Sequence, residues 1–280
     1  MRFSLYNQFG ALNSKPVFDA ISHGLQLHGH EVSYHDDSAD VAVIWSQLWA
    51  GRMSPNKLIW DLYKKSNRPV LVAEVGAIQR GLTWRIMLDG KNQFITTGHT
   101  NTRSQQLGVQ LLPWHMQGHE ILIALQHEAS NQWTGQPSMT DWLDQTVRTL
   151  QQHTDRPIVI RPHPRGRIAG IPSGCKLQTP AMMSNTYDDF NIVAAVQKSW
   201  AVVNWNSNPA VSAVLAGTPV FVGNTSIAAA VGNLNFNNIE YPQRPDREQW
   251  VNDLAWNEWK IEELRSGAGL ESLLLSIHGI

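Results

Sequence analysis

The feature that most constrains this chain is a set of short runs that are apolar at every position. Val41-Ala42-Val43-Ile44-Trp45, Val70-Leu71-Val72-Ala73, Ile121-Leu122-Ile123-Ala124-Leu125 and Ile158-Val159-Ile160 show no alternation of apolar and polar residues. A strand with one wet face alternates. A strand buried on both faces does not, and such strands belong to parallel sheets covered by helices on each side. Segments of helical spacing fall between these runs, so the chain reads as a succession of βαβ units.

Arg2–Tyr6 reads as the first strand and Asn7–Gly10 as a turn. Asn13 or Ser14 caps a helix with Pro16 in its first turn, and Val17, Ile21 and Leu25 recur along one side before Gly29 closes it. Glu31–Tyr34 adds a strand, Pro55 starts another helix, and Val70–Ala73 runs into Glu74-Val75-Gly76. The pattern restarts after a polar stretch from Gly98 to Gly118. Ile121–Leu125, Ile158–Ile160, Trp200–Trp205 and Thr218–Val222 are its strands, and Asp141–Gln152, Asp188–Lys198 and Pro209–Ala216 its helices. Arg247–Arg265 is a Trp-rich helical segment interrupted by Gly267 and Gly269. The expected organisation is an α/β domain over 1–117, a second over 118–240, and a helical segment over 241–280 that packs across both.

Composition narrows the function. A chain of 280 residues with 42% hydrophobic and only 16% charged residues is not a disordered tail. Lys+Arg 22 against Asp+Glu 23 argues against holding nucleic acid by bulk charge, so such contact would need a local patch. One cysteine, Cys175, excludes a disulfide framework and a Cys-based zinc site, and fits a reducing compartment. MRFSLYNQFG has no apolar core of a signal peptide, and no run approaches the roughly 18 apolar residues of a membrane helix. A cytoplasmic protein without membrane attachment is expected. Its 12 Trp residues serve cores, or stack on sugars and bases.

Ligands of open parallel sheets sit beyond the carboxyl ends of strands. Three such ends stand out here. Arg161-Pro162-His163-Pro164-Arg165 has two prolines that remove backbone donors, leaving guanidiniums and an imidazole suited to an anion such as a diphosphate; an exposed basic turn would use the same residues. In Asn206-Ser207-Asn208-Pro209, Asn208 reads as the cap of a small apolar helix that includes Ser212. Its N-terminus offers N–H groups and a positive dipole end to phosphate, though an ordinary crossover helix looks alike. Glu74 follows a buried run directly, where a general base meets substrate, with Arg80, Trp84 and Arg85 just beyond; a structural salt bridge is the competing reading. His28 with His30, and His115 with His119, lack a third ligand, so no metal site is expected. Neither a Walker-type loop nor a Gly-x-Ser-x-Gly elbow is present.

These residues carry a resemblance. Two α/β halves, the Arg-Pro-His-Pro turn, and Asn206-Ser207-Asn208 followed by Val211-Ser212-Ala213 and Gly217-Thr218-Pro219-Val220 resemble GT-B glycosyltransferases. The basic turn is similar to those of capsule-type sugar transferases. Gly10-Ala11-Leu12-Asn13-Ser14, the Glu74–Gly81 segment and the Trp-rich tail look more like glycosyltransferases of tailed phages, some of which modify DNA.

The resemblance implies two Rossmann-like domains facing a cleft, with C-terminal helices crossing back. It implies a nucleotide sugar, taken as UDP-linked, as co-substrate, and neither metal nor further cofactor. Arg161, His163, Arg165, Asn206, Ser207, Asn208 and Ser212 would hold the donor, Glu74 would be the base, and Asn13, Arg80, Trp84 and Arg85 would face the acceptor. That acceptor is expected to be a 5-hydroxymethylated pyrimidine in phage DNA. A surface or capsule polysaccharide and a non-catalytic nucleotide-sugar-binding module are the alternatives. One departure concerns the ribose: many GT-B enzymes hold it with a Glu early in the short helix, where this chain has Ser212.

Overall fold

The structure, a computed structural model, describes residues 1–91, 94–166, 168–180 and 191–278. The chain divides into two compact units, Met1–Leu107 with Asn252–Ile280, and Gly108–Val251. Each contains its own five-stranded sheet.

The first unit runs β1 (Arg2–Leu5), α1 (Lys15–Leu27), β2 (Glu31–Tyr34), β3 (Val41–Trp45), α2 (Asn56–Lys65), β4 (Val70–Val75), β5 (Trp84–Leu88) and α3 (Thr102–Gln106). Its strand order is β2-β1-β3-β4-β5, parallel except for β5, which pairs antiparallel with β4. Every residue of β3 is buried, as a run without polar alternation requires.

The second unit runs β6 (Glu120–Ala124), α4 (Met139–Gln151), β7 (Ile158–Arg161), β8 (Cys175–Leu177), α5 (Asn191–Lys198), β9 (Ser199–Val203), α6 (Asn208–Leu215) and β10 (Val220–Phe221). Its five strands are all parallel, in the order β10-β9-β6-β7-β8. Of the helix expected over Asp188–Lys198, Asp188, Asp189 and Phe190 lie outside the described residues.

The Trp-rich segment expected to be helical over Arg247–Arg265 is broken after Ala255. It forms α7 (Glu248–Ala255) and α8 (Ile261–Arg265), followed by α9 (Glu271–His278). Residues 241–251 pack with the second unit and 252–278 with the first. Leu264, Leu270, Leu273 and Leu274 join Phe3, Val17, Ile21 and Leu71 in the first core. Gly24 explains how α8 reaches α1: a Cβ there would lie 2.2 Å from the Leu264 carbonyl oxygen. A glycine inside a helix costs about 1 kcal/mol against alanine, and here it permits close packing of two helices. Arg103 ties the same region together, donating to the carbonyls of Ala255 and Glu258 and, through both terminal nitrogens, to the Glu263 carboxylate at 2.6 and 2.7 Å. Two strands were not anticipated from sequence, β5, with Arg85 in its interior, and the edge strand β8. No helix among the described residues is long and apolar enough to cross a membrane.

Candidate functional site

In the second unit β9, β6 and β7 are neighbours, so the segments that follow them emerge side by side at one sheet edge. The turns after β6 and β7 enclose a cavity of about 170 Å³, with Gln126, His127, Glu128, His163 and Arg165 as its polar lining. The turn after β7 folds around His163. Its Nδ1 accepts the Arg165 amide at 3.1 Å and its carbonyl accepts the Gly166 amide at 2.8 Å. Pro162 and Pro164 have no amide hydrogen to offer, so the cavity meets side chains there.

The turn after β6 repeats the device. His127 Nδ1 accepts the Ala129 amide at 3.1 Å, and its ring meets that of His163 edge to face, 5.4 Å between centroids at 82°. Burial, reinforced by the charge of Arg165, pushes the His127 pKa below the ordinary histidine range. The Glu128 carboxylate accepts the Met139 amide at 3.2 Å, which commits it to the N-terminus of α4.

The segment after β9 is locked by Asn204, which is fully buried. Its Nδ2 donates to the Ala124 carbonyl and the Ser207 hydroxyl, and its Oδ1 accepts the Ser207 amide. Ser207, not Asn208, is the N-cap of α6, because its extended backbone turns the chain into a helix that already includes Asn208. Pro209 sits in the first turn, so one of the amide donors expected there does not exist. The Asn206 side chain donates to Thr225 at its carbonyl and hydroxyl, and its amide donates to Gln126 Oε1 at 3.0 Å. Asn206 thus braces two loops. Ser212 is partly exposed on α6.

Arg161 lies at the end of β7 with its guanidinium on Gln178 at 2.9 Å and its carbonyl on the Leu125 amide, and it is not part of the cavity lining. The turn after β7 therefore brings His163 and Arg165 together with His127, and directs Arg161 toward the chain after β8. Gln126 Nε2 and Trp205 Nε1 are buried donors with no hydrogen-bond partner among the described residues.

In the first unit, Glu74 on β4 stands opposite Arg85 on β5. Its Oε2 accepts the Ser46 hydroxyl at 3.1 Å, and Ser46 holds a left-handed φ of 60°, uncommon for a residue with a side chain. Loss of hydration raises the Glu74 pKa above the ordinary carboxylate range, against the opposing charges of Arg85 and Arg80. Arg80 is exposed in the turn after β4, and Asn13 is exposed before α1. Trp84 is buried in the first core, and its backbone exchanges two hydrogen bonds with Trp259. The turn over residues 76–83 is held by Glu258, whose carboxylate accepts the amides of Ala77 and Ile78 and the hydroxyl of Thr83.

Among the described residues no three His, Cys, Asp or Glu side chains are grouped to hold a metal. Sequence reasoning missed Gln126, His127 and Glu258. The first two follow a buried run directly, the same signal that singled out Glu74.

No protein-family model and no curated protein matches the chain. Two solved structures from Thermosulfurimonas dismutans align with it nearly end to end. The KpsC beta Kdo 2,4 transferase has a TM-score of 0.53 at 12% identity, covering 99% of this chain and 98% of that one. The KpsC beta Kdo 2,7 transferase has a TM-score of 0.54 at 13% identity, covering 99% and 100%. At that identity the likeness is one of fold: an α/β protein of GT-B-like type with two Rossmann-like domains.

Proposed function

We propose that this chain is a GT-B-type glycosyltransferase that takes a sugar from a nucleotide-sugar donor and adds it to a hydroxyl of a saccharide, as in the building of a surface or capsule polysaccharide. The observation that carries the reading is the cavity after β6 and β7, where Gln126, His127, His163 and Arg165 supply donors while Glu128 is committed to α4. A lining of that kind suits the phosphates of a nucleotide. The fold shared with two proteins named as Kdo transferases supports a sugar acceptor over the hydroxymethylated DNA that the phage resemblance suggested.

In this reading the acceptor oxygen bonds to the sugar's anomeric carbon as the bond from that carbon to the donor phosphate breaks. The acceptor's proton passes to Glu74, whose raised pKa brings it nearer the working range of a general base. Charge grows on the departing phosphate, and Arg165, His163 and the dipole of α6 stabilise it most when it is largest, so they favour the transition state over the bound donor.

The test is product analysis by mass spectrometry, with a panel of UDP-, GDP-, ADP- and CMP-sugars against oligosaccharides and hydroxymethylated DNA. A saccharide heavier by one sugar residue is expected. Products on DNA alone would overturn the acceptor, and absence of both transfer and nucleotide release with every donor would overturn the enzyme.

A further inference from the structure

We infer that Ser46 is a positioning residue for Glu74: its hydroxyl holds one carboxylate oxygen in place, so that the base meets the acceptor in a fixed orientation. The role rests on the reading of Glu74 as the base. Trp45 of β3 lies beside Ala73 of β4 in a parallel register, so Ser46 and Glu74 are the next residues on two neighbouring strands. Both stand near the carboxyl ends, where ligands of such sheets bind. Ser46 is buried and Glu74 half-buried.

The direction of the bond between them follows from a second partner. The Leu48 amide can only donate, and it donates to Ser46 Oγ at 3.2 Å. The single hydroxyl hydrogen is thus left for Glu74 Oε2, at 3.1 Å. A carboxylate that accepts such a bond is favoured in its charged form, the form that takes up a proton.

The backbone serves the same contact. The Ser46 amide donates to the Ala73 carbonyl at 2.9 Å, one residue before Glu74, and φ at Ser46 is 60°. Glycine adopts that conformation freely, whereas a residue with a side chain is strained there, and strain of this kind collects at functional sites. The turn by itself favours glycine. What serine adds is the hydroxyl.

The groups around Glu74 show what that hydroxyl works against. Burial raises the Glu74 pKa, and Arg85 of β5, the Ser46 hydroxyl and Arg80 of the turn after β4 oppose it. Helix α2, packed on β3 and β4, buries Asn56, Ile59 and Tyr63 and turns Lys57, Asp61 and Lys65 to solvent. The hydroxyl therefore works with two guanidiniums, and removing it lets burial raise the pKa further.

The test labels the full chain with 13C at the glutamate carboxyl carbons and follows the Glu74 signal, assigned by its loss in Glu74→Gln, against pH. Ser46→Ala and Ser46→Gly both lack the hydroxyl. Ser46→Gly also relieves the strain, so it guards against a folding defect in the alanine variant. In both, the Glu74 midpoint should lie about one pH unit above that of wild type, the equivalent of losing a hydrogen bond to a charged group. The acid limb of the kcat/KM profile should move with it, and kcat should fall roughly 10- to 100-fold at constant donor KM.

A purely structural serine would lower stability in Ser46→Ala and leave the midpoint where it was, and that result would overturn the inference. So would wild-type kcat in both serine variants when Glu74→Gln is inactive. Full transfer by Glu74→Gln would sink the base, and the role of Ser46 with it, even where the midpoints move. An inactive Glu74→Gln with unmoved midpoints would sink the role of Ser46 alone.

Discussion

Glu258 holds Thr83 by a 2.8 Å hydrogen bond between carboxylate and hydroxyl, across 175 positions of sequence. The same carboxylate, fully buried, accepts the amides of Ala77 and Ile78. The turn between the strands of Glu74 and Arg85 is therefore anchored by the C-terminal part of the first unit. Gly76 shows how close the fit is, since a Cβ there would lie 2.5 Å from the carboxylate.

Glu258→Ala leaves those donors buried without an acceptor and should cost about 3 kcal/mol in stability, read from denaturant unfolding. A loss within about 0.5 kcal/mol, the range of ordinary surface changes, would show that the turn does not depend on it.

Glu74 should reveal itself through pH. Its native pKa is raised, so the folded state holds the proton more tightly than the unfolded chain. Stability is then fully present below the ordinary carboxylate range and is lost as pH rises through the raised value. Glu74→Gln removes that loss, so its melting temperature should match wild type near about pH 3.5 and exceed it near about pH 8. If Glu74 is the base, the same variant should lower the transfer rate by roughly 100- to 10,000-fold. The acid limb of the wild-type pH–rate profile should also lie above the ordinary carboxylate range. A full rate in Glu74→Gln would remove the base from the account.

Gly223 lies under the indole of Trp205, so that a Cβ would stand 2.7 to 2.9 Å from three ring atoms. Trp205 also meets Trp133 edge to face at 6.1 Å, so the ring has a neighbour to displace if it moves. Gly223→Ala should therefore cost about 1–3 kcal/mol, the scale of overpacking, in the same unfolding measurement. Because Trp205 belongs to the segment braced by Asn206 on Gln126, the variant should also weaken nucleotide-sugar binding. Unchanged stability would show that the ring yields freely.

The parallel sheets were legible because burial on both faces leaves a mark in the sequence. Val41–Trp45 and Ile158–Ile160 carry it, and both lie in strands buried at every position. Trp84–Leu88 escaped because Arg85 interrupts its apolar pattern. Its burial beside Glu74 depends on a partner strand rather than on its own residues. Cys175–Leu177 escaped because an edge strand with exposed Lys176 and Leu177 has no burial to record.

The Trp-rich tail has helical spacing throughout, yet it breaks where Trp259 pairs with Trp84 and Glu258 reaches Thr83, contacts that no local pattern encodes. At the site, position after a buried run pointed to Glu74 and pointed equally to Gln126 and His127. The strand end before the short helix pointed to Asn206, whose side-chain amide donates to Thr225. Side-chain type marks candidates, and only the fold shows which polar atoms are already engaged.

The most direct measurement is calorimetric titration of the full chain with the nucleotide sugars of the panel, comparing wild type with the His163→Ala/Arg165→Ala double variant. At least one donor should bind wild type and bind the double variant about 10- to 100-fold more weakly, as loss of charge-assisted contacts to phosphate requires. Binding of no nucleotide sugar, or equal affinity in both proteins, would contradict it.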